Sequence, residues 1–450
     1  MLVRALTASA IASLIPLAGF AASSNNADAQ RPTWADQVAP LLYERCVSCH
    51  RPGQVAPMSL LTYQEARPWA KAIRAAVATR TMPPWFANPE HGTFVEDPRF
   101  TEAEIETITR WVAAGAPAGD LSQAPEPPTF TSVWRIGEPD VVLTMEPFEV
   151  TDEMEDHYQW VKVANPLTED RWIKSIEIRP SFMEGAHHNL TYIVPGSFTE
   201  ADIAGAGRME MDYVAGWAPG VAPMTYHDGY GKLLPAGSSI FFQMHYHKTP
   251  GPGTGGIDQT SVAFALYDDE PENELTTLWV VDPAISIPPG EAAYPSASSF
   301  TFPHEAVLFN FTPHMHLRGK AMRFTATYPD GREEILLDVP EYDFNWQLTY
   351  TPPEPLVLPA GTKVAVDAVF DNSSENEANP DPSITVRWGE KTTDEMMIGF
   401  MDYSYADKAN QEQMETHAVP EHIREQMTRL RELQRQQPET KEPQGASGDR

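Results

Sequence analysis

Between residues 130 and 407 the chain offers no run that reads as a helix of any length. Apolar residues alternate instead in short stretches such as YQWVKVA, RWIKSIEI, NLTYIVPG, SSIFFQMHYH and HEAVLFNFTPHMH, separated by turn residues. Alternation with period two sends successive side chains to opposite faces of a sheet, so this part is predicted to be all-β. The 42 prolines and 27 glycines of the 450-residue chain favour many turns over a helical bundle. YPDGRE at 328–333 is a hairpin turn. LPAG occurs twice, at 234–237 and 358–361, and an alternating run follows each copy. A histidine pair precedes each copy at a similar interval, His187-His188 before the first and His314-x-His316 before the second. This echo predicts two related β-sandwiches, jelly-roll-like in architecture, over 134–280 and 281–407.

The beginning of the chain reads differently. A short basic start and an Ala-rich apolar run precede Ala27-Asp28-Ala29, a small-x-small cleavage site, so residues 1–29 are expected to be an export signal. The mature protein is then periplasmic or secreted, with no transmembrane segment after cleavage. Its two cysteines stand three positions apart in RCVSCHRPG. Cys46-x-x-Cys49-His50 has the spacing for covalent attachment of one haem c, with His50 as an iron ligand. A thioredoxin-like redox pair is the rival reading, but it expects a βαβ context, and the flanks here read as helical. Thr62–Glu65 and Thr101–Glu104 are capping boxes. A small all-α domain over 30–120 follows, and it resembles class I cytochrome c. Met82, in RTMPPWF, is the expected second iron ligand, with His91 as the fallback. Residues 121–133 read as a Pro-rich linker. The charged tail 408–450 reads as a short helix from Pro420 followed by a polar, disordered end beyond Gln437.

A formal net charge of −31 excludes nucleic-acid binding, which needs a basic surface, and favours a basic redox partner protein. Six of the 13 histidines fall in three pairs within the β region: His187 and His188, His245 and His247, His314 and His316. Residues i and i+2 of a strand share a face, so His314 and His316 can reach one metal ion, as can His245 and His247. His187 and His188 can do so only where a strand begins irregularly. Clustered imidazole suits Cu, Zn, Fe or Ni, and a thioether such as Met396 or Met397 would favour copper that passes through Cu(I).

HHN, QMHYH, HMHLRGK and DEMM, in that order, resemble the copper type II, ascorbate-dependent monooxygenases, the family of peptidylglycine α-hydroxylating monooxygenase and dopamine β-hydroxylase. The resemblance spans roughly residues 135 to 405. It implies two copper ions facing each other across an open cleft. His187, His188 and His245 would hold the electron-transfer copper, and His314, His316 and Met396 the catalytic, oxygen-binding one. It assigns nothing to His247. Thr312 and Ile398 stand where peptide-amidating members carry the Arg and Asn that hold a carboxylate, which argues against a peptidylglycine substrate. The expected function is therefore an exported haem- and copper-dependent monooxygenase that hydroxylates a C–H bond of a small organic substrate with O2. Haem, ascorbate or another reductant would supply the electrons. The alternative is a non-catalytic electron-transfer or copper-binding protein.

Overall fold

The computed structural model describes residues 31–130, 134–199, 202 and 211–414. The expected export signal, the helix from Pro420 and the polar end lie outside the described residues, as do positions 131–133 of the linker.

The alternating runs form strands of a β-sandwich-like body. YQWVKVA lies in strand Asp156–Ala164, RWIKSIEI in Arg171–Arg179 and NLTYIVPG largely in Ala186–Pro195. One four-stranded antiparallel sheet has the order Asp156–Ala164, Ser238–His247, Ala186–Pro195, Asp212–Trp217. Another has the order Tyr294–Thr301, Lys363–Phe370, Gly319–Thr327, Glu333–Val339. The strand after each LPAG is an inner strand of one of these sheets. Both LPAG glycines take the left-handed conformation that a glycine allows most easily, with φ of +67° at Gly237 and +87° at Gly361. YPDGRE makes the expected hairpin, in which Gly331 N–H donates to the Tyr328 carbonyl at 2.9 Å.

The all-α cytochrome c domain expected over 30–120 is not what forms. Of the described residues, 36% are in strands and 13% in helices. The four α-helices ahead of the first strand are only 7, 4, 9 and 12 residues long. Both capping boxes are made, at Thr62 and Thr101. However, Pro68 falls in a 3-10 turn that separates Tyr63–Ala66 from Ala70–Ala78, so the Thr62 box opens only one helical turn. Nor does the segment close on itself. Trp34, Leu42, Ile108 and Trp111 share a small core, whereas Ala87 and Phe94 belong to the core of the β body. Trp85 packs edge-on against Tyr350 at 4.9 Å, and Val95 N–H donates to the Thr351 carbonyl at 2.8 Å. Proline-rich chain between 83 and 98 cannot continue a helix, and its aromatic residues gain more by burial against the sheets. Of the expected helical tail, the described part is the single turn Lys408–Gln411.

Two large cores fill the β body. Ile173, Ile176, Phe242 and Phe264 belong to one, and Phe311, Phe324, Val366 and Met401 to the other. A buried ion pair bridges the strands that flank them. Lys232 Nζ, on strand Tyr230–Leu234, lies 2.8 Å from Asp402 Oδ1 on strand Ile398–Tyr405 and 2.7 Å from Thr277 Oγ1. Asn310 Nδ2 donates to the other Asp402 oxygen at 2.8 Å. Among the described residues no helix is long and apolar enough to cross a membrane. Lys232→Met leaves the Asp402 carboxylate buried without its cation and should lower stability by about 3–5 kcal/mol. Urea unfolding followed by tryptophan fluorescence will measure it, and a loss below about 1 kcal/mol would show that the pair does not hold the strands of the two cores together.

Candidate metal centre

His187 and His188 lie at the start of strand Ala186–Pro195, where the pairing with strand Ser238–His247 is irregular. Ala186 pairs with Tyr246 and His188 with His245, so His187 is the extra residue of a bulge. A bulge breaks the strict alternation of faces, which lets two adjacent histidines point the same way. Their Nδ1 atoms are 3.1 Å apart, and His245 Nδ1 lies 3.3 Å from His188 Nδ1. Three ring nitrogens thus converge in a buried space small enough for one metal ion. Burial, followed by the neighbouring imidazoles, holds His187 and His188 well below the ordinary histidine pKa. Burial lowers His245 as well, against the pull of Asp156. The three rings are therefore neutral near pH 7 and present lone pairs rather than protons.

The far side of His245 is anchored. Its Nε2 is bonded to Asp156 Oδ1. Burial opposes ionisation of Asp156, but bonds from His245, His247 and Thr392 outweigh it and hold this carboxyl far below the usual range. A carboxylate on Nε2 fixes the tautomer that leaves Nδ1 free for a metal. Tyr158 stacks on the His245 ring at 4.1 Å, and Phe344 stacks on His187 at 4.3 Å. His247, at the exposed end of the strand, has its Nδ1 3.8 Å from Asp156 and stands behind His245 rather than in the triad.

His314 ends strand Thr312–His314, which pairs with Ile398–Tyr405 so that His314 is opposite Ile398. Two positions further on in each chain direction stand His316 and Met396, both buried. His314 Nδ1 is 2.6 Å from Gln347 Oε1, and His316 Nδ1 is 3.2 Å from the Asp394 carbonyl. A carbonyl oxygen only accepts, so each of these Nδ1 atoms carries the proton and each Nε2 the lone pair that can bind a metal. The loop bearing Met396 is tied to the histidine motif through Glu395, whose oxygens accept from His316 N–H at 2.8 Å and Arg318 N–H at 2.6 Å. The fully buried Arg318 guanidinium donates to the Thr393 carbonyl at 2.9 Å and to Asn372 Oδ1 at 2.8 Å.

The two sets adjoin instead of facing each other across an open cleft. The His188 and His314 rings have centroids 6.3 Å apart, and Phe344 packs against His187, His245 and His316. Thr392 links them physically. Its hydroxyl donates to Asp156 Oδ1 at 3.1 Å and lies 3.2 Å from His245 Nε2 and 3.3 Å from the Tyr158 hydroxyl.

At the haem motif, Cys46 and Cys49 are free thiols. Burial, and then Cys49, pushes the Cys46 thiol up to about 12. The His50 N–H donates to the Cys46 carbonyl at 2.8 Å, while its ring Nδ1 is buried with no hydrogen-bond partner. Met82 is half-buried behind helix Ala70–Ala78, its N–H 3.3 Å from the Ala76 carbonyl. His91 lies toward the β body: its N–H donates to the Asn88 carbonyl at 3.1 Å, and Asn88 Nδ2 donates to Asp338 Oδ2 at 2.9 Å. Asp156, Thr392, Gln347 and Phe344 carry no motif signal of their own, whereas Arg318 and Glu395 stand inside the HMHLRGK and DEMM stretches.

No family model matches the chain, and no curated protein matches it. Solved structures give only remote likenesses. The major capsid protein P2 of bacteriophage PM2 aligns over 60% of this chain and 99% of its own at 8% identity, with a TM-score of 0.26. VP2 of infectious bursal disease virus aligns over 66% and 90% at 10% identity, with a TM-score of 0.16. A two-domain protein of unknown function from Bacteroides fragilis aligns over 58% and 94% at 8% identity, with a TM-score of 0.16.

Asp156→Asn should weaken the affinity of the triad for a divalent metal by about 10- to 100-fold, measured by competition with a chelator. An unchanged affinity would remove Asp156 from the site. Because burial lowers the ligand pKa values, proton competition begins only below the ordinary histidine pKa of about 6.5. Metal affinity should stay level from pH 8 to about 6.5 and fall below that; a fall already complete at pH 7 would contradict neutral, buried ligands.

Proposed function

We propose that this chain is an exported copper-dependent monooxygenase that hydroxylates a C–H bond of a small organic molecule with O2, with a haem on Cys46 and Cys49 as its electron source. The observation that carries the reading is the convergence of the His187, His188 and His245 Nδ1 atoms in a buried, neutral cluster. Three imidazoles of this kind suit a copper that passes single electrons. His314, His316 and Met396 would hold a second copper, where two imidazoles and a thioether favour Cu(I) and leave a position open. When bound, these ions supply one-electron chemistry toward O2 and the substrate C–H bond.

The residues of the chain do the positioning. Asp156 turns the His245 ring so that Nδ1 faces His188, and Gln347 with the Asp394 carbonyl takes the Nδ1 protons of the second pair. Glu395 and Arg318 hold the Met396 loop beside His316. Phe344 covers the His187 ring and keeps bulk water from it. At the haem motif, two free thiols and the orphaned His50 Nδ1 fit covalent haem with His50 as a ligand. The motif also abuts the β body, where Arg179 Nη2 donates to the Gly53 carbonyl at 2.8 Å.

Protein matured in an exporting host should carry two copper ions and one haem per chain, by elemental analysis and pyridine haemochrome. His245→Ala should lose one copper, and Met396→Ala should abolish ascorbate-driven O2 consumption while keeping the triad copper. Wild-type protein without copper, or O2 consumption untouched in Met396→Ala, would overturn the reading.

A further inference from the structure

A cavity beside the haem motif collects positive charge in a chain whose net charge is −31. Cys49, Gln54, Arg135, Glu177, Arg179 and Trp217 are among its walls. Arg51 stands next to it, stacked on the Phe130 ring at 3.6 Å, and its Nε is buried with no hydrogen-bond partner. Burial, then the charges of Arg179 and Arg135, lower the Arg51 pKa, so three guanidinium groups crowd one another there. With its amide turned to satisfy both, the Gln54 oxygen accepts from Arg51 Nη2 at 3.2 Å and Arg179 Nη1 at 3.3 Å. Glu177 is one opposing charge, felt by Arg51, Arg135 and Arg179, and it accepts from the Arg135 and Ile136 backbone N–H groups at 2.5 and 3.1 Å, so one carboxylate stands against three guanidinium groups. Glu96 reaches Arg135 only at 3.9 Å. Gly216, Trp217, Val221 and Thr349 are also walls of the adjoining pocket, which is lined by His188 and His314.

We propose that Arg51, Arg135 and Arg179 seat the carboxylate of the substrate, so that the molecules hydroxylated are small organic carboxylates whose C–H end extends past Trp217 toward His314. The inference rests on the monooxygenase reading for what happens at the His314 end, but not for binding at the arginines. Guanidinium forks match a planar carboxylate in paired hydrogen bonds, which a lysine patch would not do. The overall negative field keeps anions from gathering elsewhere on the surface, so binding here has to come from the arginines themselves.

Calorimetric titration of the metal-free full chain with benzoate, benzamide and inorganic phosphate tests the seat. Benzoate should bind, with benzamide at least about tenfold weaker, and Arg179→Gln and Arg51→Gln should each weaken benzoate by about tenfold or more, the scale of a lost charge-assisted hydrogen bond. Arg179 also holds Gly53, so Arg135→Gln, whose side chain has no part in that contact, serves as a second variant and should weaken benzoate as well. Equal binding of benzoate and benzamide, no loss in any arginine variant, or phosphate binding as tightly as benzoate would overturn the proposal. Copper uptake, measured on parallel aliquots of the same wild-type and variant preparations loaded with copper, separates the two readings. Benzoate lost with copper intact removes the carboxylate seat alone, and benzoate bound to a chain that takes no copper removes the oxygenase alone.

Discussion

The buried contact between Lys232 and Asp402 sets the frame for the site. Asp402 lies within strand Ile398–Tyr405, which pairs with Thr276–Val281, Ala306–Leu308 and Thr312–His314. Fixing Asp402 on Lys232, Thr277 and Asn310 fixes the register of that strand, because a slip of one residue would carry the carboxylate to the opposite face. The same register sets His314 against Ile398 and delivers Met396 beside the His314–His316 turn. A buried pair of this kind adds little net stability over apolar side chains of equal volume, and its value here lies in excluding other registers.

The two histidine sets use opposite nitrogens. In the triad, Nδ1 atoms converge and the Nε2 of His245 is turned away onto Asp156. In the second set, Nδ1 atoms are turned onto Gln347 and the Asp394 carbonyl, so the lone pairs are on the Nε2 atoms. For His245, His314 and His316 the choice is made by an oxygen that accepts from the ring, which orients these three rings before any metal arrives. Thr392 makes the arrangement mutual. It begins the loop that carries Met396 and also touches Asp156, so a shift of either set is felt by the other.

Much of the β region was legible because period-two alternation is a local signal. The same holds for the His-x-His spacing and for the irregular strand start that His187 and His188 require, which the structure resolves as a bulge at His187. The N-terminal segment was misread for a physical reason. Capping boxes report where helices begin, and both are present, but they say nothing about whether the helices enclose a core of their own. The helices share only a small core around Trp34 and Trp111, whereas Phe94 and Trp85 pack into the β body at Tyr350, more than 200 residues away in sequence. Asp156, Gln347 and Phe344 were illegible for the same reason. Each is brought to the histidines by long-range pairing, and none stands in a pattern that spacing alone could single out.

The central claim is that His187, His188 and His245 bind one metal ion through Nδ1. Electron paramagnetic resonance of the chain loaded with one equivalent of Cu(II), with isotopic labelling of the histidine Nδ1 atoms, measures this directly. Three labelled nitrogens coupled to copper are predicted, falling to two in His188→Ala. A spectrum without labelled-nitrogen coupling, or one identical in wild type and His188→Ala, would contradict it.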